Sequence, residues 1–225
     1  MSEKFNLATL SKEELAKQLR KPSGAGGKEV GEQMNIGNKT ICLNSYKVLN
    51  PKPHSLVLEI GMGNGYFIKD LLAIEATLNY IGLDFSQTMI DEATRLNQEY
   101  IHLEKVSFVN GSIENLPFDN NSIEYITTTN TVYFWPNLPE NLKELYRVLK
   151  PNGKVLIAYR PKEVMDKIEL SKYGFTKYTK QEIEQSLCLG GFQEIETETI
   201  LEPTQELNGK SLKMQGVYSI GIKKS

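Results

Sequence analysis

The feature that most constrains the fold of this chain is a series of short apolar runs separated by helical segments. The runs lie at residues 55–60, 79–84, 106–109, 123–128 and 154–159. Nearly continuous apolar strands are typical of a sheet that is covered on both faces. Strands that alternate with helices predict βαβ units and a parallel sheet.

The C-terminal part of the chain departs from this alternation. Residues 192–200 and 215–222 both have strand-like patterns, and a loop rather than a helix separates them. Two strands joined in this way are expected to pair antiparallel. The sequence therefore predicts an α/β fold: a Rossmann-like, doubly wound, mostly parallel seven-stranded sheet with an antiparallel C-terminal hairpin strand.

The N-terminal quarter of the chain has a different composition. Residues 22–38 contain five glycines, which predicts either a flexible linker or a loop whose backbone approaches something closely. A helix is expected to follow at 39–49. With 225 residues the chain can form one large core. We expect a single domain in which residues 1–52 form a helical cap or lid, with 34–38 near the pocket, and residues 53–225 form the core.

Charge and composition exclude several classes of protein. The net charge is −2, and the basic residues are scattered among acidic ones, which disfavours binding to nucleic acid. Two cysteines and two histidines are too few for a disulfide framework or a Cys/His metal cluster, so no metal is expected. No apolar stretch is long enough for a transmembrane segment, and the N-terminus does not resemble a signal peptide, so we expect a cytoplasmic protein. The oligomeric state is left open.

A glycine-rich turn follows the first apolar run, within residues 57–67. Gly61, Gly63 and Gly65 stand between a strand and the start of a helix, where a ligand can press against the main chain. A dinucleotide-binding fingerprint would place its third glycine at position 66, which is Tyr66. This offset argues against NAD and FAD as the cofactor.

Two further segments follow the second and third runs. Asp84 ends the second run, about 20 residues after the turn, where an acidic side chain is expected to accept hydrogen bonds from a ribose diol. The alternative is that Asp84 is only a helix-start acid beside Ser86, favoured by the helix dipole. Residues 111–118 follow the third run at the carboxyl edge of the sheet, where ligands bind, although 116–118 alone would be a buried turn.

In this order and spacing, the three segments resemble the class I S-adenosylmethionine-dependent methyltransferases, more narrowly the broad branch that includes quinone and sterol C-methyltransferases. The resemblance is good over residues 53–157 and elsewhere concerns mainly the layout. It implies S-adenosylmethionine as the cofactor. It also implies which residues hold the methionine end of that cofactor, namely Glu59, Gly61, Gly63, Gly65 and the backbone of Asn130.

The same resemblance assigns the nucleoside end of the cofactor. Asp84 matches the ribose ligand, Phe85 matches the residue that packs against the adenine, and Ser112 and Ile113 match the pair at the adenine edge. Ser112 departs from the pattern, because the family often has an acidic residue there. Serine can accept the same hydrogen bond but is shorter and uncharged, so weaker adenine binding is expected there, and the backbone amide of Ile113 can still donate to the ring.

The acceptor side is expected after the fourth run. Residues 131–136 would lie at the carboxyl edge beside the transferred methyl group. The rings of Tyr133 and Trp135 would either wall the acceptor pocket or simply anchor the following helix, and Tyr133 is the expected substrate contact. No general base is apparent, because His54 and His102 fall at the amino edge of the sheet.

The function expected from these features is methyl transfer from S-adenosylmethionine to a small-molecule or lipid-like acceptor. Three alternatives stay open. The chain could methylate a protein or RNA, or it could be a catalytically silent cofactor-binding module that acts through a protein partner. A nicotinamide-dependent oxidoreductase is the third. The sequence gives no indication of which atom receives the methyl group.

Overall fold

The computed structural model describes residues 5–207 and 209–225. Residues 1–4 of the expected N-terminal segment, and Asn208 in the loop between the last two predicted strands, therefore lie outside the described residues. The strands are β1 (Leu56–Ile60), β2 (Asn79–Asp84), β3 (Val106–Asn110), β4 (Ile123–Thr129), β5 (Leu149–Tyr159), β6 (Gln193–Leu201), β7 (Gln205–Leu207), β8 (Lys210–Leu212) and β9 (Gln215–Ile222).

Seven of these strands form one sheet in the order β3-β2-β1-β4-β5-β9-β6. The strands from β1 to β5 pair in parallel, whereas β9 is antiparallel to both β5 and β6. The predicted fold class is confirmed. The chain order reverses where β1 lies between β2 and β4, and ligands of open α/β sheets bind beyond the carboxyl ends of the strands at such a point.

The C-terminal pair is more elaborate than the sequence indicated. The predicted loop between the two strands contains a small hairpin of its own, β7 and β8. The last strand, β9, is inserted between β5 and β6, so β6 forms the edge of the sheet. The reason is chemical: β9 contains no charged side chain, while β6 carries Glu194, Glu196 and Glu198, all of them exposed. Charged side chains protect an edge strand from pairing with another chain.

Helices cover both faces of the sheet. One hydrophobic cluster joins the sheet to Leu142 and Leu187, and the other joins it to Ile41 and Ile68. In the described part of the chain, no helix is long and apolar enough to cross a membrane. The helices are α1 (Lys12–Arg20), α2 (Gly24–Leu49), α3 (Ile68–Ile74), α4 (Gln87–Leu96), α5 (Gln98–His102), α6 (Leu138–Val148), α7 (Lys162–Met165) and α8 (Lys180–Leu189).

The glycine-rich segment forms the first half of α2, so the expectation of a linker or loop there is wrong. Its glycines allow close packing within a helix instead. A Cβ on Gly27 would lie 2.7 Å from the backbone of Pro22, and one on Gly31 would lie 3.2 Å from Met89 Cε. The C-terminal half of α2 adds Ile41 and other apolar side chains to the core. This tertiary packing outweighs the low helix propensity of glycine.

Candidate active site

The carboxyl ends of β1, β2 and β4, with α2 opposite them, enclose the cleft that contains the predicted cofactor positions. Its empty space, counted with the open mouth, is about 1210 Å³. A cleft at the reversal point of a parallel sheet is where a ligand is expected. All nine predicted cofactor residues line it: Glu59, Gly61, Gly63, Gly65, Asp84, Phe85, Ser112, Ile113 and Asn130.

The glycine turn uses its residues in two ways. Gly61 and Gly63 both adopt left-handed backbone conformations, with φ of 69° and 60°. A Cβ on Gly61 would lie 2.4 Å from Thr131 Cγ2, so this glycine lets the loop after β4 pack against the turn. A Cβ on Gly63 would meet no atom within 4 Å. Because Gly63 lines the cleft, its missing side chain leaves room for a ligand against the main chain.

Asp84 is buried at the end of β2 and is held by backbone amides. Gly63 N–H donates to its Oδ2 at 3.0 Å, and Ser86 N–H donates to its Oδ1 at 2.9 Å. Burial raises the pKa of Asp84 to about 6, although these amide hydrogen bonds oppose the shift. Each carboxylate oxygen can accept a second hydrogen bond. The contact with Ser86 was expected of a helix-start acid, but the bond from Gly63 also ties Asp84 to the glycine turn.

Glu59 is buried at the end of β1 beneath the cleft. Its Oε2 accepts hydrogen bonds from the hydroxyls of Tyr46 and Tyr80, both at 2.8 Å. Burial raises the pKa of Glu59, and the two phenols act in the opposite direction because they stabilise the carboxylate. The hydrogen bonds from α2 and β2 fix this carboxyl group before any ligand arrives.

Comparison with known proteins identifies the family. The profile of a family described as "Methyltransferase domain" matches residues 58–157. The chain is 31% identical over 107 residues to the uncharacterized methyltransferase YdaC of Bacillus subtilis, covering 48% of this chain and 57% of that protein. Residues 58–157 thus match a methyltransferase domain, and these similarities support the class I S-adenosylmethionine-dependent methyltransferases. The predicted class is confirmed, and its cofactor is S-adenosylmethionine.

Two further similarities are to a quinone methyltransferase and to a solved structure that contains a methyltransferase activator. The chain is 32% identical over 114 residues to a demethylmenaquinone methyltransferase of Oceanobacillus iheyensis, covering 50% of this chain and 48% of that protein. The chain thus spans about half the length of the curated relatives it matches. A chain in the Haloferax volcanii complex of the Trm112 methyltransferase activator with a methyltransferase superposes with a TM-score of 0.75, at 18% identity, covering 87% of this chain and 93% of that one. At that identity the likeness shows the fold alone.

The nucleoside end of the cleft carries an acidic side chain that the family resemblance did not assign. Ser112 Oγ lies 3.1 Å from Glu114 Oε2, and both residues line the cleft. A carboxylate is therefore present beside Ser112, where the family often has one. Phe85 is partly exposed, and the Lys21 ammonium lies 5.2 Å from the centre of its ring.

The acceptor side is only partly as expected. Trp135 lines the cleft, together with Phe134, whose ring packs at a tilt of 57° against Phe175 with 4.6 Å between ring centres. Tyr133 is buried behind this wall and is not among the lining residues, so the structure does not bring it into the cleft as a substrate contact. Its hydroxyl donates to Asn130 Oδ1 at 3.0 Å, has the carbonyl oxygen of Arg160 as a second acceptor at 3.2 Å, and accepts from the backbone N–H of Arg160.

Helix α2 supplies a wall of the cleft that the sequence indicated only in part. Of the segment 34–38, Met34, Asn35 and Asn38 line the cleft, whereas Ile36 is 72% exposed. One and two turns further on, Cys42 and Tyr46 also line the cleft, and the sequence analysis missed both. The signal was present as a four-residue spacing from 34 to 46, which one helix face produces.

Proposed function

We propose that the chain transfers the methyl group of S-adenosylmethionine to a small-molecule or lipid-like acceptor. The observation that carries the proposal is a single cleft that combines all nine predicted cofactor positions with an apolar wall of Phe134, Trp135 and Pro136. The similarity to a demethylmenaquinone methyltransferase supports an acceptor of this kind.

The order of the strands sets the direction in which the cofactor would lie. With the ribose held at Asp84 on β2, the adenine would extend toward Phe85, Ser112 and Ile113 at the end of β3. The methionine part would extend the other way, toward Glu59 on β1 and Asn130 after β4. The open space at Gly63 and the second lone pairs of the Asp84 oxygens fit a nucleoside at this place.

S-adenosylmethionine would supply a sulfonium methyl group that is already strongly electrophilic. The chain's own residues would then contribute mainly alignment and exclusion of water. Holding two reactants in line is worth roughly 7–11 kcal/mol in favourable cases. The aromatic wall at Trp135 would place the acceptor beside the β4 end of the cleft.

The cleft offers poor candidates for a general base. Neither His54 nor His102 lines it. Burial raises the pKa of the Cys42 thiol well above its ordinary value, which keeps the thiol protonated. Glu59 is already engaged with two phenols. The other two carboxyl groups that line the cleft, Asp84 and Glu114, lie at its nucleoside end, away from the aromatic wall. We therefore propose an acceptor atom that is nucleophilic without losing a proton in the transition state.

A second candidate is a cofactor-binding module that acts through a protein partner. The Haloferax volcanii structure with this fold is a complex with a methyltransferase activator, which supports considering this function. The two candidates differ in whether the isolated chain turns over. Methylation of protein or RNA is a third possibility, and the scattered charges of the chain argue against an RNA substrate.

The test is calorimetric titration with S-adenosylhomocysteine and, separately, with NADH. We expect micromolar binding of S-adenosylhomocysteine, silence with NADH, and a loss of at least about tenfold in affinity in Asp84→Ala, because ligand hydroxyls would lose a charged acceptor. Asp91→Ala, an acid on the following helix α4 that does not line the cleft, is the matched control.

Turnover is measured next with labelled S-adenosylmethionine. Label transferred to a panel of hydroquinones (reduced quinones) and other small apolar nucleophiles supports the first candidate. Label found only in macromolecular fractions would replace it with protein or RNA methylation. Tight binding of S-adenosylhomocysteine without any turnover would favour the partner-dependent module. Absence of S-adenosylhomocysteine binding would refute the assignment of the site.

A further inference from the structure

A chain of hydrogen bonds joins helix α2 to the loop after β4 at the far wall of the cleft. Asn130 Nδ2 donates to Asn38 Oδ1 at 3.0 Å. The Tyr133 hydroxyl donates to Asn130 Oδ1 at 3.0 Å, with the carbonyl oxygen of Arg160 as a second acceptor at 3.2 Å. The backbone N–H of Arg160 donates to the same hydroxyl. Both ends of the Asn130 amide are thus bonded, one toward α2 and the other toward the end of β5.

The backbone of Asn130 needs such support. Its φ is 56°, a left-handed conformation that costs energy in a residue with a side chain. Its own N–H is bonded to Ala158 O at 2.8 Å, so the turn out of β4 is held by the neighbouring strand as well. The next residue, Thr131, packs on Gly61, whose missing Cβ leaves the necessary space. The position of this loop therefore shapes the β1–β4 end of the cleft.

We propose that Asn38 and Tyr133 are positioning residues that act through Asn130 to shape the part of the cleft that receives the methionine end of the cofactor. The inference rests on the proposed function, because that function orients the cofactor. It gives Tyr133 a role behind the cleft wall in place of the substrate contact expected from the sequence. Burial raises the pKa of Tyr133, so its hydroxyl stays a donor at any working pH.

The hydrogen-bonded chain of Asn38, Asn130 and Tyr133, here called the relay, should affect one end of the bound cofactor more than the other. The nucleoside end of the cleft is built by β2, β3 and the glycine turn, none of which contributes a side chain to the relay. Loss of the relay should therefore weaken a ligand that carries the amino-acid part more than one that lacks it. S-adenosylhomocysteine and 5′-methylthioadenosine form such a pair, because they share the nucleoside and differ in that part.

The experiment is a double-mutant cycle with Tyr133→Phe and Asn38→Ala, in the full chain. Each variant removes one end of the Asn130 amide bonding, and alanine favours a helix more than asparagine does, so α2 is not weakened. We expect each single variant to lose about fivefold in affinity for S-adenosylhomocysteine, the worth of one hydrogen bond. The double variant should lose little more than either single one, because both changes release the same side chain.

Two controls separate the relay from general loss of packing. Tyr159→Phe removes the hydroxyl of another fully buried tyrosine in the same hydrophobic cluster, and Lys39→Ala changes an exposed neighbour on α2. Both should bind S-adenosylhomocysteine as the wild type does. In the relay variants, the affinity for 5′-methylthioadenosine, measured by competition, should change by less than about twofold.

Several outcomes would overturn the proposal. These are wild-type affinity in either single variant, losses that multiply in the double variant, and equal losses for the two ligands. If Tyr133→Phe does not fold, Asn38→Ala and the pair of ligands decide the question alone. If the wild-type chain binds no S-adenosylhomocysteine, the proposed function fails, which is a different result from selective binding that ignores the relay.

Discussion

Acidification should weaken cofactor binding and strengthen the apo fold through the same carboxyl group. Asp84 has a pKa of about 6 because it is buried at the end of β2. If only the ionised form accepts the ribose hydroxyls, about nine-tenths of the sites lose that form at about pH 5, whereas almost all keep it at about pH 7.5. The affinity for S-adenosylhomocysteine should therefore fall about tenfold between these conditions.

The stability of the apo chain should change in the opposite direction. The folded-state pKa of Asp84 is raised above its ordinary value of 3.8, so between these values the folded state binds more protons than the unfolded state. The stabilisation is present below the unfolded pKa and is lost as the pH rises through the folded pKa. From about pH 5 to about pH 7.5 this group should remove about 1.4 kcal/mol from the free energy of unfolding.

Both effects are measured on the same proteins. Calorimetry with S-adenosylhomocysteine and urea unfolding are run across this pH range for the wild type, Asp84→Asn and the control Asp91→Asn. Asparagine does not titrate, so the difference in unfolding free energy between wild type and Asp84→Asn should change with pH by the amount that Asp84 contributes. Glu59 also has a raised pKa, but its contribution is common to all three proteins. A difference that stays constant with pH would show that Asp84 is not the titrating group.

Four further substitutions give distinct results. Gly61→Ala should destabilise the fold and abolish S-adenosylhomocysteine binding, because its Cβ would lie 2.4 Å from Thr131 Cγ2. Gly63→Ala should cost only about 1–2 kcal/mol of unfolding free energy, because its Cβ would meet no atom within 4 Å, but it should still block the ligand. Similar urea midpoints for the two variants would contradict this reasoning. Glu202→Ala should cost about 3–5 kcal/mol in urea unfolding, because it leaves the buried Arg160 guanidinium, 2.5 Å away, without its partner; a neutral effect would mean that water replaces the pair. Trp135→Phe should raise the acceptor KM and leave the affinity for S-adenosylhomocysteine unchanged, and equal losses of both would place Trp135 at the cofactor instead.

Local sequence patterns were sufficient to bring the expected cofactor residues together in one cleft. The glycines from Gly61 to Gly65 and the acid at Asp84 follow directly from strands whose carboxyl ends share one edge of the sheet. Once the alternation of strands and helices is recognised, their proximity is a matter of topology. For the same reason, Ser112 and Ile113 could be placed at the next strand end without any knowledge of their contacts.

Local patterns were insufficient where residue type and tertiary environment disagreed. The glycines before Gly37 read as a loop, but close packing against Pro22 and Met89 makes them part of a helix. In the aromatic run after β4, Phe134 and Trp135 line the cleft, whereas Tyr133 lies behind them and does not. Only the path of the backbone distinguishes these neighbouring residues.

The sequence by itself determined the sheet, the glycine turn and the acid at the end of β2, because these depend on periodicity and on short-range backbone chemistry. The tertiary structure decided which wall α2 forms, that β9 lies inside the sheet, and how Asn38, Asn130 and Tyr133 meet. These contacts join residues far apart along the chain. Their geometry follows from packing of the whole core, which no local pattern encodes.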